Sequence, residues 1–266
     1  MREILALMRV GWQAALSYRL NLVFSLLGLG LTLVPVYFVA QALQPIAAAS
    51  ISAEGGQYFG FLAVGLAVFF LVSSALLALP NALSGGIGSG TLEALLSTPA
   101  PLPTVLIGLV GFDLTWAALR AACMLVAASL LGAHLVATGV PIAATALLLT
   151  LIGYFGLGLA LAAMILVFRT IGPLGSGLLA ASALLGGVYY STTVIPSWIR
   201  TLSVAVPLTY GLRIMRQALL ASMDSAAVAG DLAVLASISA ALLLGGWLLF
   251  AAALRHARGE GSLGQY

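Results

Sequence analysis

Charged residues are absent from long stretches of the chain, and those gaps set its architecture. The uncharged runs are Leu20–Ala53, Gly55–Leu92, Ala121–Phe168, Thr170–Ile199 and Leu232–Leu254. A bilayer is crossed by about 20 apolar residues in a helix, and each run holds at least one such stretch. A transmembrane barrel would instead alternate apolar and polar positions over segments of about 10 residues. The pattern therefore predicts an all-α membrane protein with six transmembrane helices, at about 20–43, 58–80, 106–132, 142–167, 171–190 and 229–254. Pro35 is expected to kink the first, and the second is expected to stop near Pro80 and Asn81.

Between these spans the pattern changes. Residues 2–18 read as an amphipathic helix: Arg2, Arg9, Gln13 and Ser17 share one face at spacings of seven and four, with Trp12 and Tyr18 suited to the headgroup zone. Such a helix lies in the interface plane, although an extension of the first span is an alternative. The stretch Leu20–Leu43 is longer than the 7–15 apolar residues of a secretory signal core, so it reads as a retained span despite the small-x-small pattern Ala40-Gln41-Ala42. A loop at 84–103 opens with a flexible Gly/Ser segment, carries a short helix at 91–97 and closes on Pro99, Pro101 and Pro103, which disfavour helix before them. Residues 192–228 are less apolar, hold Pro196 and Pro207, and read as two short helices at or dipping into one interface. The whole chain, 1–266, forms a single transmembrane domain.

Composition supports lipid as the main solvent. The chain is 62% hydrophobic and 6% charged, with a mean hydropathy of +1.18, where a soluble domain carries about 25% charged residues. All ten basic residues are arginine. With six spans, Arg2, Arg9, Arg19, Arg169, Arg255 and Arg258 lie on the side of both termini, and Arg200, Arg213 and Arg216 on the other. The excess puts the termini in the cytoplasm, which turns 84–103 inward and 192–228 outward. Scattered arginines at span ends give no reason to expect nucleic acid.

Catalytic readings fail on missing residues. Leu83-Ser84-Gly85-Gly86 matches four letters of the ATP-binding-cassette signature, but a P-loop needs a lysine on the phosphates and the chain has none. The Gly86–Gly90 run has no βαβ unit around it and is no dinucleotide fingerprint. His134 falls at the end of a span and His256 in the tail, away from any serine that they could activate; His134 reads as an interfacial polar residue. The acidic residues are far apart, and the single Cys123 reads as a small buried hydrophobe. No enzyme, cofactor site or metal site is expected on this chain.

Three constellations remain. Gly90-Thr91-Leu92-Glu93-Ala94-Leu95-Leu96-Ser97-Thr98-Pro99 forms a short amphipathic helix with Leu92, Leu95 and Leu96 on one face and Glu93 in the first turn, where the helix dipole favours an anion. It can dock into a groove on a soluble partner or pack on its own bundle. Asp113 and Arg120 share a face of span three, about 10 Å apart along the axis; intramembrane charges point to function, but a start of the span near Asp113, with Arg120 snorkelling, is an interface reading. Span five is dense in small residues, Gly175, Gly177, Gly186 and Gly187 among them. That density suits a dimer seam or pathway, a gate, or close packing within the chain.

The string from Gly90 to Pro99 resembles the loop after span two in permeases of type-2 ATP-binding-cassette exporters, which commonly reads Gly-Thr-Leu-Glu, a leucine pair, then Thr-Pro. The N-terminal helix resembles that family's elbow helix, and Ile195–Arg213 resembles its outer-leaflet re-entrant stretch between spans five and six. The resemblance implies that Gly90, Thr91, Leu92, Glu93, Leu95, Leu96, Thr98 and Pro99 form a coupling helix docked on an ABC ATP-binding subunit, which would hold ATP and Mg. It further implies a second permease copy, most simply a homodimer, in a bacterial or archaeal plasma membrane, exporting a drug-like molecule or lipid. The family often has charges before the Gly-Thr-Leu-Glu motif, where this chain has Gly and Ser. A secondary transporter without an ATPase and a non-transporting membrane anchor or assembly protein are the other classes compatible with the bundle.

Overall fold

A computed structural model describes residues 12–13, 19–88, 102–168, 172–221 and 225–259. Eight helices are described in these segments: α1 (Arg19–Ala47), α2 (Tyr58–Gly88), α3 (Leu102–Leu130), α4 (Val140–Phe168), α5 (Leu174–Leu185), α6 (Ser197–Ser203), α7 (Pro207–Leu220) and α8 (Ser225–Gly259). No strand occurs among the described residues. Five helices, α1, α2, α3, α4 and α8, are long and apolar enough to cross a membrane. The protein is a multi-pass helical membrane protein.

Three boundaries differ from expectation. α2 continues through Pro80 to Gly88, and α1 continues through Pro35 and Pro45 to Ala47. In an apolar surrounding no water competes for freed backbone groups, so a proline in a span does not end the helix as it would in a loop. Residues 84–88 are therefore helix, not the start of a flexible loop. The expected fifth span, 171–190, contains only the 12-residue α5, about 18 Å long where a bilayer core is about 30 Å. It ends at Gly186 and Gly187. The latter has φ +71°, a left-handed turn that glycine adopts at little cost.

α2 is the most enclosed of the long helices; it packs against α1, α3, α4, α5 and α7. The most extensive helix contact among the described residues is that of α4 with α8. A Cβ at Gly156 would lie 2.5 Å from the backbone of Leu242, and one at Gly246 would collide with the carbonyl of Gly156. The two backbones touch because both helices place glycine at the crossing. Gly153 meets Ser239 further back, so α4 and α8 run in the same direction. The outer faces are apolar: Leu20, Phe24, Leu27, Leu31 and Phe38 on α1, and Leu244, Leu248 and Leu249 on α8, are exposed. Exposed apolar surface of this extent belongs in lipid.

Candidate functional site

Two arginines place the polar chemistry of the bundle, one at its end and one midway along a long apolar helix. The first is Arg216 on α7, only 2% exposed. It donates from Nη1 to the carbonyl of Gly187 (3.0 Å) and from Nη2 to the carbonyls of Val188 (2.9 Å) and Phe61 (3.2 Å). Its Nη1 also pairs with Glu54 Oε2 at 3.4 Å, and its guanidinium lies over the Phe61 ring, 3.3 Å from the centroid. The turn after α5 cannot close its own hydrogen bonds, and the two carbonyls it leaves are taken by this cation. Burial pulls the Arg216 pKa down to about 10, against the pull of the neighbouring Glu54 carboxylate, which raises it. The side chain stays charged at neutral pH.

Around Arg216 this end of the bundle is tied by side-chain-to-backbone bonds. Gln44 donates to the carbonyl of Gly56 and accepts from the Tyr58 amide, both at 2.7 Å. Gln57 donates to the carbonyl of Gly132 at 2.7 Å and accepts from the backbone amide of His134 at 2.9 Å. The Tyr58 hydroxyl donates to the carbonyl of Tyr189 at 3.0 Å, and the Val136 amide to that of Leu219 at 2.8 Å. The α1–α2 connection, the α3–α4 connection, the turn after α5 and the end of α7 thus meet in one place, here called the Glu54 end. Arg213 reaches Asp231 on α8 at 3.2 Å.

The second arginine is Arg120. It sits ten residues from each end of the apolar stretch Val110–Leu130, about 15 Å from either. Insertion scales put the cost of an arginine at the centre of a membrane-spanning helix at about 2.5–3.5 kcal/mol. Arg120 lines a cavity of about 380 Å³ between α1, α2 and α3, together with Ser25, Thr32, Ser73 and Ser74. Thr32, Ser73 and Ser74 donate to the carbonyls of Gly28, Phe69 and Phe70 in their own helices. The buried Ser25 Oγ has no hydrogen-bond partner.

The other expected residues fall in different places. Asp113 is exposed on α3; it attracts Arg120 through space, but no direct ion pair joins the two. Gly175 is buried in α5, whereas Gly177 is exposed with nothing within 4 Å of where a Cβ would stand. Gly186 is held against the Ser182 carbonyl and Leu208, and Gly187 against Tyr190 and Thr192. Packing within the chain accounts for these last two. Trp12 packs edge-on against Phe112 (5.4 Å) and Trp116 (6.0 Å) of α3; apart from Trp12 and Gln13, the expected helix at 2–18 lies outside the described residues. So does the whole of Gly90–Pro99, with Thr91, Leu92, Glu93, Leu95, Leu96 and Thr98. Among the described residues no cluster of His, Cys, Asp and Glu could hold a metal ion.

Sequence reasoning missed the Glu54–Arg216 pair. Both residues stood in segments assigned to one face of the membrane, and that shared face was the available signal. It also missed the hydroxyl lining opposite Arg120, because hydroxyls on two different helices, α1 and α2, carry no common spacing.

No curated protein matches the chain by sequence. The family model described as ABC-2 type transporter matches residues 2–220. That match spans the N-terminal segment, α1 through α7 and the loop after α2, so the chain, a transport permease domain, belongs to the ABC-2 type transporter family.

Proposed function

We propose that the chain is the membrane subunit of an ATP-driven exporter, carrying a hydrophobic drug-like molecule or lipid out of the cytoplasm. The observation that carries the reading is the family match across residues 2–220, with the Gly90–Pro99 string inside it. In this reading the chain has no enzymatic group. A separate ABC subunit hydrolyses ATP with Mg, docks on the helix at 91–97, and two permease copies pair, with Gly177 on α5 open to a seam. Closure of the ATPases drives the docked helices together, and the motion passes through the N-terminal elbow and α3 into the bundle. The apolar walls suit a hydrophobic cargo better than a sugar.

Six crossings fit this scheme, α5 and its turn making the fifth. The turn after α5 meets the α1–α2 connection through Arg216 and Tyr58, although α4 starts beside that same end and runs 29 residues away from it. The chain therefore returns over α5. α6 and α7 then form the outer-leaflet stretch, the Glu54 end faces outward, and both termini lie in the cytoplasm of a plasma membrane. The test is co-purification of an ABC ATPase with the permease carrying Leu92→Ala and Glu93→Ala. Loss of association and of ATP-dependent transport is expected; unchanged association and transport defeat the docking assignment.

A further inference from the structure

The cavity beside Arg120 holds a charge that, among the described residues, has no acid within salt-bridge distance. Its lining contains no acidic residue. Asp113, seven positions away on the same helix and exposed, attracts Arg120 through space but makes no direct ion pair with it that would occupy its donors. A guanidinium offers five donors and no acceptor, and the uncommitted buried Ser25 hydroxyl adds another. Three further hydroxyls stand around them, on Thr32, Ser73 and Ser74, each free to rotate from its own helix carbonyl to an incoming acceptor. The rest of the wall is apolar, including Leu29 and Met124. At the rim Phe24 is 66% exposed and Phe70 41% exposed, although Phe70 belongs to the most enclosed helix. The opening therefore faces the side where acyl chains would lie.

From this juxtaposition we infer that the groove between α1, α2 and α3 is a mid-membrane binding site for an amphipathic anion: a carboxylate or phosphate head held by Arg120 and Ser25, with an apolar tail leaving past Phe24 and Phe70. A neutral ligand would leave the cation unpaired in a dry site, and a cationic one would be repelled. The volume, about 380 Å³, falls at the small end of ligand pockets and fits the head and first methylenes, not a whole lipid. The inference deepens the exporter reading by naming a cargo class, and rests on it only for the word cargo; binding is independent of any ATPase.

The experiment uses the full chain, purified in nanodiscs of neutral lipid. A fluorescent long-chain fatty acid is displaced by an unlabelled fatty acid, by a lysophosphatidate, by the alcohol of the same chain length, and by acetate or inorganic phosphate. The two lipid anions are expected to bind about tenfold tighter than the alcohol, and the free small anions not to compete. Tight binding by phosphate or acetate alone overturns the amphipathic assignment. Arg120→Gln should erase the preference for acid over alcohol, Arg120→Lys should keep part of it, and Ser25→Ala should weaken the acid by a few-fold. Equal binding of acid and alcohol to the unaltered protein overturns the inference, as does acid binding that survives Arg120→Gln, or a loss of dimer in that variant with acid binding intact. If Arg120→Gln is recovered poorly, the acid-to-alcohol ratio of the unaltered protein and Ser25→Ala decide the matter. An ATPase that associates with a permease blind to anions sinks this inference alone; anion binding without ATPase association sinks the exporter reading alone.

Discussion

Arg216 and Arg120 are the same side chain in two opposite circumstances. Arg216 is enclosed, with three carbonyls, a carboxylate and an aromatic face within reach. Arg120 stands midway along a long apolar helix, beside hydroxyls and apolar walls, with no acid in the described lining of its cavity. A buried charge with several partners is a fastening: its removal strands them. A charge that lines a cavity with its donors uncommitted does little for the fold that an apolar residue could not, and leaves those donors open to whatever enters the cavity. The contrast separates the end of the bundle that holds the chain together from the region available for binding.

The largest effect expected is at the fastening. Arg216→Met removes the cation that pairs with Glu54 and bonds the carbonyls of Gly187, Val188 and Phe61, leaving the carboxylate only its Ser191 hydroxyl contact, and a broken buried pair costs about 3–5 kcal/mol. A large fall in the thermal midpoint of the detergent-purified protein is expected, with partial recovery on adding Glu54→Gln. Arg120→Met should leave that midpoint unchanged or raise it, since it removes an unpaired intramembrane cation. A fall as deep as that of Arg216→Met would erase the distinction between the two sites.

Next in size is the backbone contact between α4 and α8. Gly246→Ala drives a methyl into the Gly156 carbonyl, and overpacking of this kind costs about 1–3 kcal/mol. Gly177→Ala meets open space and should leave the monomer's midpoint within a few tenths of a kcal/mol, because no packing opposes it. Should Gly177→Trp nonetheless abolish cross-linking between copies, the α5 seam is supported; unaltered cross-linking removes Gly177 from it. The smallest effect belongs to Arg213→Gln. Its pair with Asp231 is partly exposed, with 40% of the arginine side chain open, and such pairs are worth about 0–1 kcal/mol. A shift comparable to that of Arg216→Met would show that exposure is the wrong criterion for ranking the two.

Much of the bundle was legible in the uncharged runs, because a span is set by length and apolarity, and both are local properties. The helices at 19–47, 58–88, 102–130, 140–168 and 225–259 each cover an expected span. The exceptions are informative. Pro80 and the glycines at 85, 86 and 88 carry loop signals in water, but they sit inside α2, whose backbone groups bond within the helix. Residues 171–190 were apolar throughout, yet the turn at Gly186 and Gly187 interrupts them, since Arg216 is there to take the carbonyls that the turn releases. The string at 90–99 was legible as a motif and carries the docking proposal by sequence alone.

By itself, the sequence determined that this chain lives in lipid, crosses it repeatedly as helix, and carries the ABC-2 pattern through residue 220. Hydropathy and spacing suffice for those properties, which are additive along the chain. Only the tertiary structure decided which arginine has partners. Glu54 and Arg216 are 162 positions apart, and the hydroxyls around Arg120, on α3, come from two other helices. Pairing and enclosure depend on where helices cross, and no local pattern in the chain encodes those crossings.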